Sequence, residues 1–298
     1  MKKTAYLAFA LLGVIWGSNF IFVKWAVKEI SPAQIVLLRV VFGFLPIFVF
    51  ALAKRALRWE HVRYLHHFVV MSLLATAVYY LAFAKGTALL PSSIAGLLSG
   101  AIPLFTFICA WLFLREEHIN LTKAAGVGLG FLGVLLIARP WSNVGAVDLH
   151  GVAYMIAGSM SVGCSFVYAR RFITPLKLPA VALATYQIGI AMIFLFLATS
   201  LHGISAVFND TRAWIGLIFG LGLLGTGLAY VIYYFIVENL GAVAAAGVTY
   251  IPPVVALVIG VFLAGDTIQP IGYAAMILTL SGVAILQLGR RRPTAGSP

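Results

Sequence analysis

Long apolar stretches broken by short clusters of charges and turn residues run the length of the chain. Reading breaks at those clusters gives spans at Thr4–Trp25, Pro32–Ala53, Phe68–Leu90, Ser93–Leu114 and Thr122–Ala138. A second set follows at Gly151–Ala169, Ala180–Leu201, Trp214–Val237, Ala242–Ala264 and Ile268–Leu288. Each is close to the roughly 20 residues that a helix needs to cross a bilayer core about 30 Å thick. The turns between spans three and four and between spans eight and nine have the thinnest markers, Pro91 and Asn239–Gly241.

Lipid leaves only two ways to pair every backbone group internally, helix bundles and closed barrels. Barrel strands would show short alternating segments. Here the apolar runs are continuous, so the pattern predicts an all-α integral membrane protein of ten transmembrane helices. Composition agrees: 62% of the 298 residues are hydrophobic and 9% charged, with a mean hydropathy of +1.06. A soluble domain is about 25% charged. The amino-terminal apolar run continues through Phe20-Ile21-Phe22-Val23 without a small-residue cleavage pattern, so it is expected to remain as the first helix.

The net charge of +12 would suggest a nucleic-acid partner in a soluble protein. Its distribution gives a different meaning. With the amino terminus inside, inner segments hold Lys2, Lys3, Lys54, Arg55, Arg58, Arg63, Arg115, Lys123, Arg170, Arg171, Lys177 and Arg290–Arg292. Outer segments hold only Lys24, Lys28, Lys85, Arg139 and Arg212. That bias obeys the positive-inside rule and places both termini in the cytoplasm, with no nucleic acid involved. Cys109 and Cys164 lie in separate spans, and neither sits at metal-ligand spacing from another Cys or His. They read as buried, inert residues; no metal, cofactor or catalytic group is expected.

The halves echo one another in order. Trp16-Gly17-Ser18-Asn19-Phe20 aligns with Val162-Gly163-Cys164-Ser165-Phe166, and Pro32-Ala33 with Pro179-Ala180. Tyr79-Tyr80 aligns with Tyr233-Tyr234, and Pro103 with Pro253, each followed by an acid, Glu116 or Asp266. Phe131–Ile137 aligns with Leu280–Leu286. Five spans per half is an odd number, so the second half enters the membrane from the opposite side. This is an inverted-topology repeat, the plan of many secondary transporters, with the binding site near the midplane between halves. The organisation expected is a first repeat at 1–140, a second at 141–289 and a basic cytoplasmic tail at 290–298.

Paired five-span halves, the Trp16–Phe20 segment, Arg39 in span two, and Pro103 with Glu116 resemble the drug/metabolite transporter superfamily. The match is to its ten-helix branch with two EamA-type repeats and covers nearly the whole chain. The resemblance implies a basket-shaped bundle with a central cavity lined by spans three, four, eight and nine. Spans one, two, six and seven would act as gates. Within the branch it extends to bacterial exporters of aromatic amino acids, which implies a carrier of small metabolites in the inner membrane.

Polar exceptions to the lipid-facing composition mark candidate residues. Arg39 lies about two turns inside span two; an intramembrane charge should face the bundle interior. It could contact a substrate carboxylate, or bond backbone carbonyls and fix the gate between spans one and two. The second role is preferred, because relatives with different cargo carry this arginine. Trp16 and Gly17 belong to that gate, and Ser18 and Asn19 either line the cavity or join helices. Small four-helix relatives exchange protons on a glutamate in their first helix; span one here has only uncharged polar groups. Tyr79, Tyr80, Tyr230, Tyr234 and Tyr250 sit at membrane depth, where a phenol needs a partner or a wet cavity. Pro103, Pro252 and Pro253 interrupt spans four and nine, with Ser99 and Thr249 within a turn of them. Glu238 is the carboxylate nearest a cavity. Gly126/Gly130 and Gly216/Gly220 have helix-packing spacing. The expected substrates are aromatic and other apolar amino acids, with nucleosides, organic cations or a pore-like channel as alternatives. The expected surroundings are the lipid bilayer, with the protein a monomer.

Overall fold

The computed structural model describes residues 2–114, 120–139, 141, 147–240 and 247–290; the side chains of 2, 234, 237, 238 and 287–290 lie outside that description. Every described element is helical, and together they form ten spans. Spans 1 and 2 are Lys2–Ala26 and Pro32–Ala53. Span 3 runs Trp59–Leu89, span 4 Ser92–Phe113 and span 5 Leu121–Ala138. Span 6 is Leu149–Leu176, span 7 Ala180–Ala198, span 8 covers 211–240, span 9 is Gly247–Leu263 and span 10 Pro270–Arg290. Eight described helices are long and apolar enough to cross a membrane, and Gly247–Leu263 and Pro270–Leu286, in spans 9 and 10, are shorter apolar stretches. Large apolar side chains such as Leu7, Val49, Leu197, Phe262 and Ile277 cover the perimeter, as a lipid-facing surface requires.

Several boundaries differ from the sequence expectation, two of them with a clear local cause. Span 3 begins nine residues before Phe68, because Trp59–Tyr64 coils as a 3₁₀ turn that leads directly into the helix. Span 7 stops at Ala198, ahead of Leu201, where Thr199 turns extended. The turn between spans 3 and 4 is at Leu90–Pro91, as the proline suggested; the turn expected at Asn239–Gly241 runs into residues 241–246, which lie outside the described residues, as do Glu116 and Glu117.

The helices are not uniform. Span 4 is two segments, Ser92–Ser99 and Ile102–Phe113, with Pro103 in the first turn of the second. Span 9 has the same plan: a 3₁₀ turn at Gly247–Tyr250 precedes Ile251–Leu263, which opens on Pro252 and Pro253. A proline at that position has no N–H to offer the preceding turn. Spans 3 and 8, the other equivalent pair, both contain widened π-type turns, at Leu73–Ala77 and Gly216–Leu228. Interruptions in equivalent spans of the two halves are consistent with an internal repeat.

Packing between spans follows a two-fold rule. Span 1 packs on spans 8 and 9, and its counterpart, span 6, packs on spans 3 and 4. Span 2 packs on span 8 as span 7 packs on span 3, while 2 with 7, 4 with 9 and 5 with 10 pair across the pseudo-axis. All of these contacts join one repeat to the other, so the two inverted halves are interleaved. Lipid tails are as apolar as leucine, so helices here associate through close packing. Glycines make that approach possible. A Cβ at Gly17 would lie 2.5 Å from Val255 Cβ, and one at Gly86 would lie 2.7 Å from Met155 Sδ. Gly216 and Gly220 receive Phe22. Gly126 and Gly130 face Gly282 of span 10, so their spacing serves packing within the chain.

The turn between spans 3 and 4 is held from both halves. Lys24 Nζ donates to the carbonyls of Thr87, Ala88 and Leu90 at 2.8–3.3 Å, a cation at a helix C-terminus. Asp266 accepts from Ser92 Oγ, Ser93 N and Ser93 Oγ at 2.8–2.9 Å, an anion at the next helix N-terminus.

The contact of spans 5 and 10 gives a controlled comparison. A Cβ at Gly282 would lie 2.6 Å from the Gly126 carbonyl and closer still to Gly130 N, whereas one at Gly128 would meet nothing within 4 Å. Gly282→Ala is expected to cost about 1–3 kcal/mol as overpacking. Gly128→Ala should be neutral or slightly stabilising. Thermal unfolding of the two variants in nanodiscs checks this; equal midpoints would contradict the packing.

Candidate functional site

Arg39 forms the centre of the junction between repeats. Gly43, one turn further along span 2, brings span 8 close: a Cβ there would lie 2.6 Å from Thr226 Cβ. The widened turn of span 8 places Thr226 so that its hydroxyl donates to the Leu221 carbonyl at 2.9 Å. The same oxygen accepts from Arg39 Nε at 2.9 Å, and the Gly225 carbonyl lies 3.5 Å from Nη2. The guanidinium carbon sits 3.8 Å from the centroid of the Tyr80 ring. Asn19 completes the nest in the amide orientation that satisfies both its ends. Its oxygen then accepts from Arg39 Nη2 and its nitrogen donates to the Ile15 carbonyl, both at 3.2 Å.

Arg39 is thus tied to spans 1, 3 and 8 through neutral groups. Among the described residues no carboxylate lies within ion-pair distance of it. A cation at mid-helix costs about 2.5–3.5 kcal/mol on insertion scales. A desolvated cation–π contact contributes about 2 kcal/mol and each hydrogen bond to a charged group about 1.5–3 kcal/mol, enough to hold it. From the sequence, Arg39 is expected to bond backbone carbonyls and fix the gate between spans 1 and 2; in the structure its partners are Thr226 Oγ1 and the Gly225 carbonyl of span 8, with Asn19 of span 1.

A second polar contact lies nearby. Gln187 Nε2 in span 7 donates to Thr76 Oγ1 in span 3 at 2.8 Å and lies 3.5 Å from Tyr230 Oη in span 8. Tyr79, Tyr80 and Tyr230 share one apolar cluster with Ala77, Ala184 and Ile188. From Tyr80 an aromatic column continues to Tyr79 at 5.0 Å between centroids, to Phe83 at 4.6 Å and to Phe20 at 6.1 Å. The sequence reading missed Gln187, Thr76 and Thr226. Gln187 is an amide inside an apolar span, and the rule that singled out Arg39 would have found it. Threonines inside membrane helices commonly bond their own backbone, so Thr76 and Thr226 carried no signal.

The other candidates separate. Ser18 Oγ donates to the Ile15 carbonyl at 2.9 Å and Ser99 Oγ to the Gly96 carbonyl at 2.6 Å, so both protons go to their own helix. Trp16 packs on Tyr233, 6.1 Å between centroids, where spans 1 and 8 meet. Gly17 seats span 1 against Val255 and the Pro252 carbonyl. Tyr250 does not join the Tyr80 cluster; it packs with Leu104, Phe107, Phe131, Val283 and Leu286, because the turn holding it and Thr249 faces spans 4, 5 and 10. Pro103, Pro252 and Pro253 start the second segments of the two broken spans. The side chains of Tyr234 and Glu238 are outside the described residues.

Ten apolar spans in two interleaved inverted repeats, with broken helices and a polar centre between them, define a multi-pass membrane transporter and not an enzyme. The pattern of the EamA-like transporter family matches residues 3–139 and, a second time, residues 149–288, and the chain belongs to that family. It is similar to an uncharacterized transporter of Archaeoglobus fulgidus, 25% identical over 289 residues that span 96% of this chain and 99% of the relative. It is also similar to the uncharacterized inner membrane transporter YedA of Escherichia coli K12, 24% identical over 293 residues, 94% of this chain and 89% of that one. A third relative is a probable amino-acid metabolite efflux pump of Salmonella typhimurium, 24% identical over 297 residues, 97% and 96% of the two chains. A crystal structure 19% identical in sequence shares the fold, with a TM-score of 0.63 over 98% of this chain and 100% of that one.

The role of Tyr80 is testable separately from its hydroxyl. Tyr80→Phe keeps the ring beneath Arg39 and is expected to unfold at nearly the wild-type temperature. Tyr80→Leu removes the ring face and is expected to lose about 2 kcal/mol. Equal losses in the two variants, measured by thermal unfolding in nanodiscs, would contradict a cation–π support.

Proposed function

We propose that the protein exports small zwitterions with large apolar side chains, above all Phe, Trp and Tyr, across the bacterial inner membrane by alternating access. The observation that carries this reading is the placing of a fixed, neutral-partnered cation beside neutral hydrogen-bonding groups and an aromatic column at the repeat junction. The field of Arg39 favours a carboxylate and opposes an organic cation. Asn19, Gln187 and Thr76 supply neutral bonds for the charged groups of an amino acid. Tyr79, Tyr80 and Tyr230 supply flat faces, worth about 0.5–1.5 kcal/mol per good aromatic contact beyond area burial. Ser18 and Ser99 retain acceptor lone pairs, and Pro103, Pro252 and Pro253 stand at the broken turns near Ser99, Thr249 and Tyr250. Trp16, Gly17 and Arg39 hold the contact of spans 1, 8 and 9 that must shear when the repeats move.

The resemblance to aromatic amino-acid exporters and the likeness to a probable amino-acid metabolite efflux pump point the same way. The charge bias along the chain supports both termini in the cytoplasm. Asp148, Asp210 and Asp266 cap helix ends, and among the described residues no carboxylate stands at the junction, which supports flux with little or no proton coupling.

Counterflow in proteoliposomes tests the substrate class. Labelled Phe is expected to accumulate saturably in Phe-loaded vesicles, with inhibition by excess Trp and none by tetraphenylphosphonium. Flux that ignores aromatic amino acids but responds to cations or nucleosides would overturn the substrate assignment; unsaturable conduction would overturn the carrier.

A further inference from the structure

The sequence reading took the two cysteines as unrelated. In the fold they face each other: Cys109 Sγ of span 4 and Cys164 Sγ of span 6 lie 3.0 Å apart. A disulfide has an S–S distance of about 2.05 Å, so closing the bond takes about 1 Å of movement. Cys109 is buried and Cys164 keeps part of its surface open.

The surroundings hold the pair in register. At Gly163 span 6 meets the backbone of span 4: a Cβ there would lie 2.9 Å from Thr106 N and 3.1 Å from the Phe105 carbonyl carbon. Val167, Ala110 and the two cysteines form one small cluster. Beyond it Arg171 Nη1 donates to the Phe113 carbonyl at 2.9 Å, closing the end of span 4. Contacts before and after the thiols therefore advance together along both helices. Span 4 belongs to the first repeat and span 6 to the second, so motion of one repeat against the other would shear this contact.

We propose that Cys109 and Cys164 form a peroxide-sensitive dithiol whose disulfide ties span 4 to span 6 and arrests their relative motion. The oxidant is hydrogen peroxide, small enough to reach the partly open Cys164. The Cys164 sulfur attacks one peroxide oxygen; an S–O bond forms, the O–O bond breaks, and one water leaves with the thiol proton. The Cys109 sulfur then attacks the sulfenic sulfur; the S–S bond forms, the S–O bond breaks, and a second water carries away the other proton. Two thiols and one peroxide thus become one disulfide and two waters. The proposal rests on the packing of two repeats and is independent of the cargo.

The test uses the full-length protein in proteoliposomes treated with hydrogen peroxide. Intact mass is expected to fall by the mass of two hydrogens, both thiols to stop reacting with maleimide, and a peptide linking 109 to 164 to appear. Backbone hydrogen exchange over spans 4 and 6 should slow, and dithiothreitol should reverse every change. Cys164→Ser and Cys109→Ala should each lack both the mass loss and the slowed exchange. Two thiols that stay free, or oxidation by oxygen addition alone, would overturn the dithiol; a disulfide that leaves exchange unchanged would overturn the arrest. Flux of labelled Phe, followed in parallel, should fall in the oxidised wild type only. Absence of Phe flux before oxidation would count against the proposed substrate and leave the mass and exchange results to decide this inference.

Discussion

A permanently charged guanidinium inside a lipid-facing bundle must be solvated by protein, and the arrangement around Arg39 meets that requirement. Its nitrogens reach Thr226, Gly225 and Asn19, and Tyr80 covers one face. None of these partners is charged, so the positive field is not cancelled locally. Removing one partner would leave a buried cation less satisfied, which is why spans 1, 2, 3 and 8 are coupled at this level. The widened turn of span 8 contributes directly, because it sets Thr226 to receive Arg39 while bonding Leu221, five residues back.

Around that centre the bundle is held by shape. Each helix of one half leans on helices of the other, and the contacts repeat after exchange of the halves. An arrangement with such symmetry can be rebuilt in mirror order at little cost, which is the physical basis for two access states of similar energy. Glycine contacts permit sliding of smooth surfaces, while polar contacts such as Arg39–Thr226, Gln187–Thr76 and those of Lys24 and Asp266 with the turn between spans 3 and 4 have discrete partners. In the proposed alternating access, motion between states has to exchange the discrete contacts, which makes them the natural places for cargo to bias the equilibrium.

What was legible in the sequence follows from what lipid demands. Span number, the broken spans 4 and 9 and the packing of Gly126 and Gly130 were visible because length, proline and small residues act locally. Arg39 was visible because a charge at membrane depth is costly. Its partner span was not, since nothing local in Thr226 or Gly225 marks their widened turn as the partner of a residue 187 positions earlier. Tyr250 shows the opposite failure: depth alone placed it with the other tyrosines, but the side of the helix it occupies is decided by the broken turn before Ile251. Lys24 counted only as a charge outside the membrane, although its ammonium caps a helix end from within span 1.

The coupling of the repeats through Arg39 and Thr226 is measured most directly by a double-mutant cycle. Arg39→Met, Thr226→Val and the double variant would be compared by reversible unfolding in nanodiscs. If the pair joins the halves as described, the single losses are strongly non-additive, with a coupling of about 1 kcal/mol or more. Losses that add to within about 0.3–0.5 kcal/mol would mean that the two side chains act independently, and the junction would have to lie elsewhere.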